Sequence, residues 1–154
     1  MSRVIGRISL IALPKGTEWV LEHDVTYHID VGVAENAWVV VVQEKFVTDL
    51  ASRPTVMAML LDKWGKHGPA SLIHDWLYWF QICDRETADA VMVQFMKKAK
   101  VPTWKIVIIN RCLRMFGGLA WRNNVKRKAA GEQAFFVGDL DKLHYLAELG
   151  DRDV

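Results

Sequence analysis

The sequence predicts an α+β protein: a small N-terminal antiparallel sheet followed by a bundle of about four helices and a short C-terminal helix. Two observations carry this. Residues 1–45 are dense in Val, Ile, Trp and Tyr and are punctuated at Pro14-Lys15-Gly16 and Glu35-Asn36. β-Branched and aromatic runs between turn residues read as strands. From residue 54 onward the apolar residues recur at helical spacing, with Pro and Gly at the junctions.

Strands are predicted over 3–12, 17–23, 25–33 and 36–43. The run Trp38-Val39-Val40-Val41-Val42 does not alternate, which predicts a central strand covered on both faces. After the loop FVTDLASRPT, Pro54 suits the first turn of a helix over 54–64, closed by Gly65. A second helix is predicted over 69–81. A third opens at Asp84, an N-cap, with Glu86 where a negative charge suits the helix dipole. It carries Ala88, Met92, Phe95 and Ala99 on one face and ends near Lys100. The fourth starts at Pro102 and is expected to break or bend at Gly117-Gly118. Residues 139–149 make the last short helix.

A chain of 154 residues is expected to fold as one domain, residues 1–154. Within it, 1–45 is strand-rich, 46–122 is helical, and 123–154 is a basic turn and terminal helix. Hydrophobic residues at 51% argue against disorder. A net charge of +2 does not by itself imply a nucleic-acid partner. The basic patch Arg122, Lys126, Arg127 and Lys128 lacks interleaved aromatics, so a solvated helix end accounts for it better than nucleic acid. The start, MSRVIGRISLIALPKG, has no uninterrupted apolar core, so no signal peptide is expected. The semi-apolar stretch from Trp104 to Trp121 carries Lys105, Arg111 and Arg114, which argues against a membrane crossing. Contact with an anionic membrane surface stays open for that stretch. Cys83 and Cys112 lack metal-type spacing. They read as free thiols of a reducing compartment, one disulfide between neighbouring helices being the other option.

The chemistry-bearing residues sit in apolar surroundings. In ASLIHDWLYWF, residues 70–80, His74 and Tyr78 lie four apart and share a helix face. Asp89 recurs with Val93 and Met96, again on an apolar stripe. A carboxylate held away from water needs a partner or changes its protonation state, and His74 is the simplest partner. Such a pair has two readings: a polar clasp between helices, or a functional site. Trp76, Trp79 and Trp104 read as core before pocket. Asp49 either pairs locally or completes a metal or catalytic cluster, while Ser52 suits a helix cap. Arg85 is expected to reach back to a carboxylate across the helix pair. Arg111 and Arg114 are expected to line the opposite wall, neutralising aspartates or holding an anionic substrate.

The ordered set TDLASRP (48–54), GPASLIHDWLY (68–78), DRETADAVMVQFM (84–96) and Arg111…Arg114…Gly117 resembles a phage and prophage family, domain of unknown function 1353. The likeness covers about residues 40–121. It implies a phage origin, residence in the host cytoplasm or packaging in the virion, and phage structural or host proteins as partners. It attaches no activity. One expectation is therefore a non-enzymatic virion, tail-associated or host-interaction protein with a His–Asp helix clasp.

A looser resemblance is to the catalytic helix pair of secreted calcium-dependent phospholipases. It implies His74 as general base, Asp89 as the residue orienting the imidazole, Tyr78 as support for Asp89, and Asp75 as ligand to calcium. The second expectation is thus a small metal-dependent ester hydrolase, with calcium the favoured divalent cation. The chain departs from that family in having no cysteine beside the HD motif, and WGKHGP matches its calcium loop only in two glycines. Ligation by His67, His74, Asp75 and Asp89, as in HD-type phosphohydrolases, ranks lower because His67 lies so close to His74.

Overall fold

The computed structural model describes residues 2–14, 17–30, 37–49 and 65–150. Its strands are β1 (Arg3–Ile5), β2 (Leu10–Ala12), β3 (Trp19–Leu21), β4 (Val25–Asp30), β5 (Ala37–Val42) and β6 (Val47–Thr48). They form two three-stranded antiparallel sheets, ordered β1-β4-β5 and β2-β3-β6. Four described helices follow: α1 (Gly68–Phe80), α2 (Arg85–Lys98), α3 (Thr103–Ala129) and α4 (Leu140–Gly150). The protein is α+β, but the expected single sheet is two. The strand expected over 3–12 is divided because Gly6 takes φ 106°, a left-handed turn that sends β1 and β2 into different sheets. The helix expected over 54–64, with its Ser52 cap, lies outside the described residues.

The valine run corrects a second expectation. β5 is not central: it pairs with β4 alone among the described strands, and β4 lies between β1 and β5. Val40 and Val42 are buried while Val39 and Val41 are exposed, so the run alternates in space although it does not in sequence. Its outer valines reflect β propensity and not burial on both sides.

Helix boundaries follow their sequence signals. Pro69 sits in the first turn of α1, where its missing N–H costs nothing, and Gln81 ends the helix in the left-handed conformation with its N–H on the Leu77 carbonyl. Asp84 caps α2, accepting the Thr87 amide at 2.8 Å and the Thr87 hydroxyl at 2.9 Å. These bonds hold the Asp84 carboxyl below its usual range. The break expected at Gly117-Gly118 is absent: α3 runs through both glycines without interruption.

The main core brings the inner face of the β1-β4-β5 sheet onto α1 and α2. Val25, Tyr27 and Ile29 alternate inward along β4, and Leu72, Ile73, Leu77, Met92 and Met96 meet them from the helices. Tyr27 is the joint. Its ring packs edge-on against Phe95 at 5.3 Å, and its hydroxyl donates to the Pro69 carbonyl at 2.8 Å. Burial, and secondarily the Asp75 charge, push that hydroxyl's pKa up, so it remains a donor. A second aromatic group gathers Phe46, Trp76, Phe80 and Phe135. A smaller cluster of Ile11, Val20 and Leu143 seats α4 on the other sheet.

Tyr27→Phe preserves the edge-on ring and leaves the Pro69 carbonyl without this donor. Urea denaturation should show a stability loss of about 1 kcal/mol with an unchanged m-value.

Candidate functional site

The site is built on facing positions of α1 and α2. Helical spacing puts His74 and Tyr78 on one face of α1, and Arg85 and Asp89, also four apart, on one face of α2. Asp89 is only 6% exposed, and the surrounding side chains satisfy both of its oxygens. Its Oδ1 lies 2.9 Å from His74 Nε2 and accepts the Tyr78 hydroxyl at 2.6 Å. Its Oδ2 accepts Arg85 Nη1 at 2.9 Å. Arg85 also reaches Glu86 at 2.9 Å and the Leu113 carbonyl at 3.5 Å, so it ties α2 to α3. Desolvation opposes the guanidinium charge, but the Asp89 and Glu86 carboxylates outweigh it and hold Arg85 protonated. Burial first, and the Asp89 contact second, raise the Tyr78 pKa, which keeps that phenol a donor.

This arrangement fixes the imidazole. With Asp89 ionised and the imidazole neutral, Nε2 carries the proton that faces Asp89 and Nδ1 presents a lone pair. His74 Nδ1 is buried and has no hydrogen-bond partner among the described residues. The His74 ring, 3% exposed, packs tilted by 37° against the Tyr78 ring at a centroid distance of 4.0 Å.

His74 also helps to wall a cleft of about 540 Å³. One wall comes from the strand-rich part, through Phe46, Val47, Thr48 and Asp49; another comes from α3, through Leu113, Phe116, Gly117 and Ala120. The segment after α3 closes it with Phe135, Phe136 and Val137, and an isolated bridge between Phe46 and Phe135 holds that segment in place. These side chains are mostly apolar, and the cleft is also lined by Glu18, Asp75, Asn123, Asn124, Arg127, Glu132 and Gln133.

The expected residues divide clearly. His74, Tyr78, Arg85 and Asp89 form one bonded group, and Arg85 finds its carboxylate on its own helix and not across the pair. Asp75 and Asp49 both line the cleft, and Asp75 accepts a hydrogen bond from the Thr48 hydroxyl. Arg111 and Arg114 do not line it; both are exposed on α3. The inward line of α3 is Ile106, Ile109, Leu113 and Gly117, and at 100° per residue positions 111 and 114 fall off it. Of the tryptophans, Trp79 lines the cleft, Trp76 is core, and Trp104 is exposed. Cys83 and Cys112 are free thiols. Burial, then the Asp84 charge, push the Cys83 thiol up to about 11, which removes it as a nucleophile near neutral pH.

Among the described residues, no group of three or more His, Cys, Asp or Glu side chains is placed to hold a metal ion. Asp49 and Asp75 therefore do not by themselves make the calcium site that the HD motif implied.

Three contributors escaped the sequence reading. Thr48 was visible only as part of the TDLAS string, although its β6 position places it against Asp75. Phe135 and its neighbours looked like a polar tail. Gly117 looked like a helix breaker, yet a Cβ there would stand 2.5 Å from the Tyr78 hydroxyl oxygen and 3.4 Å from Arg85 Nη1. The glycine lets α3 close over the bonded group.

With this geometry established, comparison with known proteins adds the family. The profile described as "Protein of unknown function (DUF1353)" matches residues 19–110, more than half of the chain, and the protein belongs to that family. No curated protein and no solved structure matches it.

Gly117→Ala should destabilise the protein by about 1–3 kcal/mol through overpacking against Tyr78. The same substitution in a Tyr78→Phe background should cost close to nothing, because the clashing oxygen is gone and alanine favours the helix. A double-mutant cycle by chemical denaturation reads the difference.

Proposed function

We propose that this protein is a small hydrolase that cleaves esters bearing an apolar group, with His74 as general base. One observation carries the reading: the imidazole is held at Nε2 by Asp89, while Nδ1 has no partner among the described residues and the ring forms part of the cleft wall. Nδ1 is sealed from solvent in this structure, so the cleft wall would have to shift to admit a water, which would then give up a proton to Nδ1 while its oxygen attacks the ester carbonyl carbon. The resulting imidazolium, stabilised by Asp89, would return that proton to the departing alkoxide. Tyr78 and Arg85 position Asp89, and Tyr78 also lines the cleft. The apolar walls at Phe46, Phe116 and Phe135 favour an acyl or other hydrocarbon portion. A divalent cation at Asp49 and Asp75 would supply oxyanion stabilisation. Those two carboxylates would need further oxygen ligands to hold it.

The second reading is a non-enzymatic phage protein, in the virion or tail or acting on a host protein. What favours it is that the same Asp89 group bonds α1 to α2 and, through Arg85, reaches α3, which a purely structural clasp would also do.

A series of p-nitrophenyl esters separates the two. Turnover should rise with acyl-chain length, and His74→Ala should lower it by about 10²–10⁴-fold with the fold retained. Equal turnover in the variant, or none with any ester in the wild type, removes the hydrolase reading. Asp89→Ala should lose roughly 3 kcal/mol of stability, since it strands Arg85, His74 and Tyr78 together. Melting with calcium, zinc, manganese and magnesium tests the cation: a ligand that binds only the folded state must raise Tm.

A further inference from the structure

The outer face of α3 has an unusual composition. Every charged side chain on the helix is basic: Lys105, Arg111, Arg114, Arg122 and the Lys126–Lys128 run, with no Asp or Glu over Thr103–Ala129. The inward line of α3 is spent on the core. On the opposite side Trp104, Val107, Met115, Leu119 and Val125 are exposed, from 44% at Val107 to 71% at Met115. At 100° per residue Trp104, Arg111, Met115 and Arg122 fall within one narrow stripe, flanked by Val107 and Val125 on one side and Leu119 and Lys126 on the other. Apolar and basic side chains therefore share a face, where a solvated helix would carry charges of both signs and few large apolar groups. From Trp104 to Lys126 the face is about 33 Å long at 1.5 Å per residue.

The geometry points to this face as a docking surface for an anionic lipid bilayer, with α3 lying in the plane of the interface. Arginines and lysines would meet lipid phosphates while Met115, Leu119, Val107 and Trp104 enter the acyl boundary. No described helix is long and apolar enough to cross a membrane, which agrees with lying on one. Charge complementarity selects this occupant over others. A second copy of the chain would set arginine against arginine with no carboxylate on either face. A nucleic-acid backbone would match the arginines but leave Met115, Leu119 and Val107 against phosphates that give them nothing. Phe116, Ala120 and Arg127 of the same helix line the cleft, so the docked face would adjoin its mouth. The inference does not depend on the ester-hydrolase reading.

Flotation with vesicles tests it. The wild type should float with phosphatidylcholine–phosphatidylglycerol vesicles and not with phosphatidylcholine alone. Arg111→Gln/Arg122→Gln should weaken binding by roughly thirtyfold. Met115→Ser/Leu119→Ser, which leaves every charge in place, should weaken it by about tenfold or more. Both pairs are exposed, so their Tm values should match the wild type, and His74→Ala should bind as the wild type does. Three results overturn the proposal: no flotation with anionic vesicles at low ionic strength, undiminished binding by the serine variant (counter-ion attraction alone), or dimerisation through this face without vesicle binding.

Discussion

A carboxylate is buried where two helices meet, and much of the structure around it follows from that one placement. Removing Asp89 from water is costly unless its lone pairs are occupied. The chain occupies them with an imidazole and a phenol from α1 and a guanidinium from α2 itself. Those bonds fix how α1 lies against α2, because a shift of one residue along either helix would turn the donors away from the acceptor. They also require a close third element. Arg85 donates to a carbonyl of α3, and α3 can come near enough only because residue 117 has no side chain. The polar group thus sets the positions of three helices that the apolar core alone would leave free to slide.

The cleft depends on a different kind of closure. Its walls come from parts of the chain far apart in sequence, the segment around Phe46–Asp49 and the segment around Phe135, joined by one backbone bridge and an edge-on contact of the Phe46 and Phe135 rings. The imidazole lies where these walls meet the helix pair. A rigid helical scaffold carries the reactive group, and shorter segments shape the space before it.

Much of this was legible in the sequence because the signals were local. Four-residue spacing placed His74 above Tyr78, Asp84 announced a helix start, and Pro69 and Pro102 marked two others. The apolar stripe through Asp89 showed that this carboxylate needed a partner. What escaped was set by tertiary contact. Val39 and Val41 could not reveal that they face solvent, since the sequence does not say that β5 is an edge. Gly117 carries the same letters whether it breaks a helix or permits a close approach, and only the Tyr78 hydroxyl opposite decides. Arg111 and Arg114 were placed at the site by charge complementarity, but the angular position of α3 turned them outward. Thr48 met Asp75 through strand pairing, a relation with no short-range signature.

Tyr78 is gripped on several sides: its hydroxyl by Asp89, its face by the His74 ring at 4.0 Å, its edge by Trp121 at 5.1 Å, and its oxygen by the bare backbone of Gly117. A phenol ring flips by half a turn about its own axis, and His74, Trp121 and Gly117 crowd part of the space it would sweep. Such a flip would require those neighbours to give way. The exchange rate of the two sides of this single ring is therefore a clock for the breathing of the helix pair, set inside the molecule beside the imidazole.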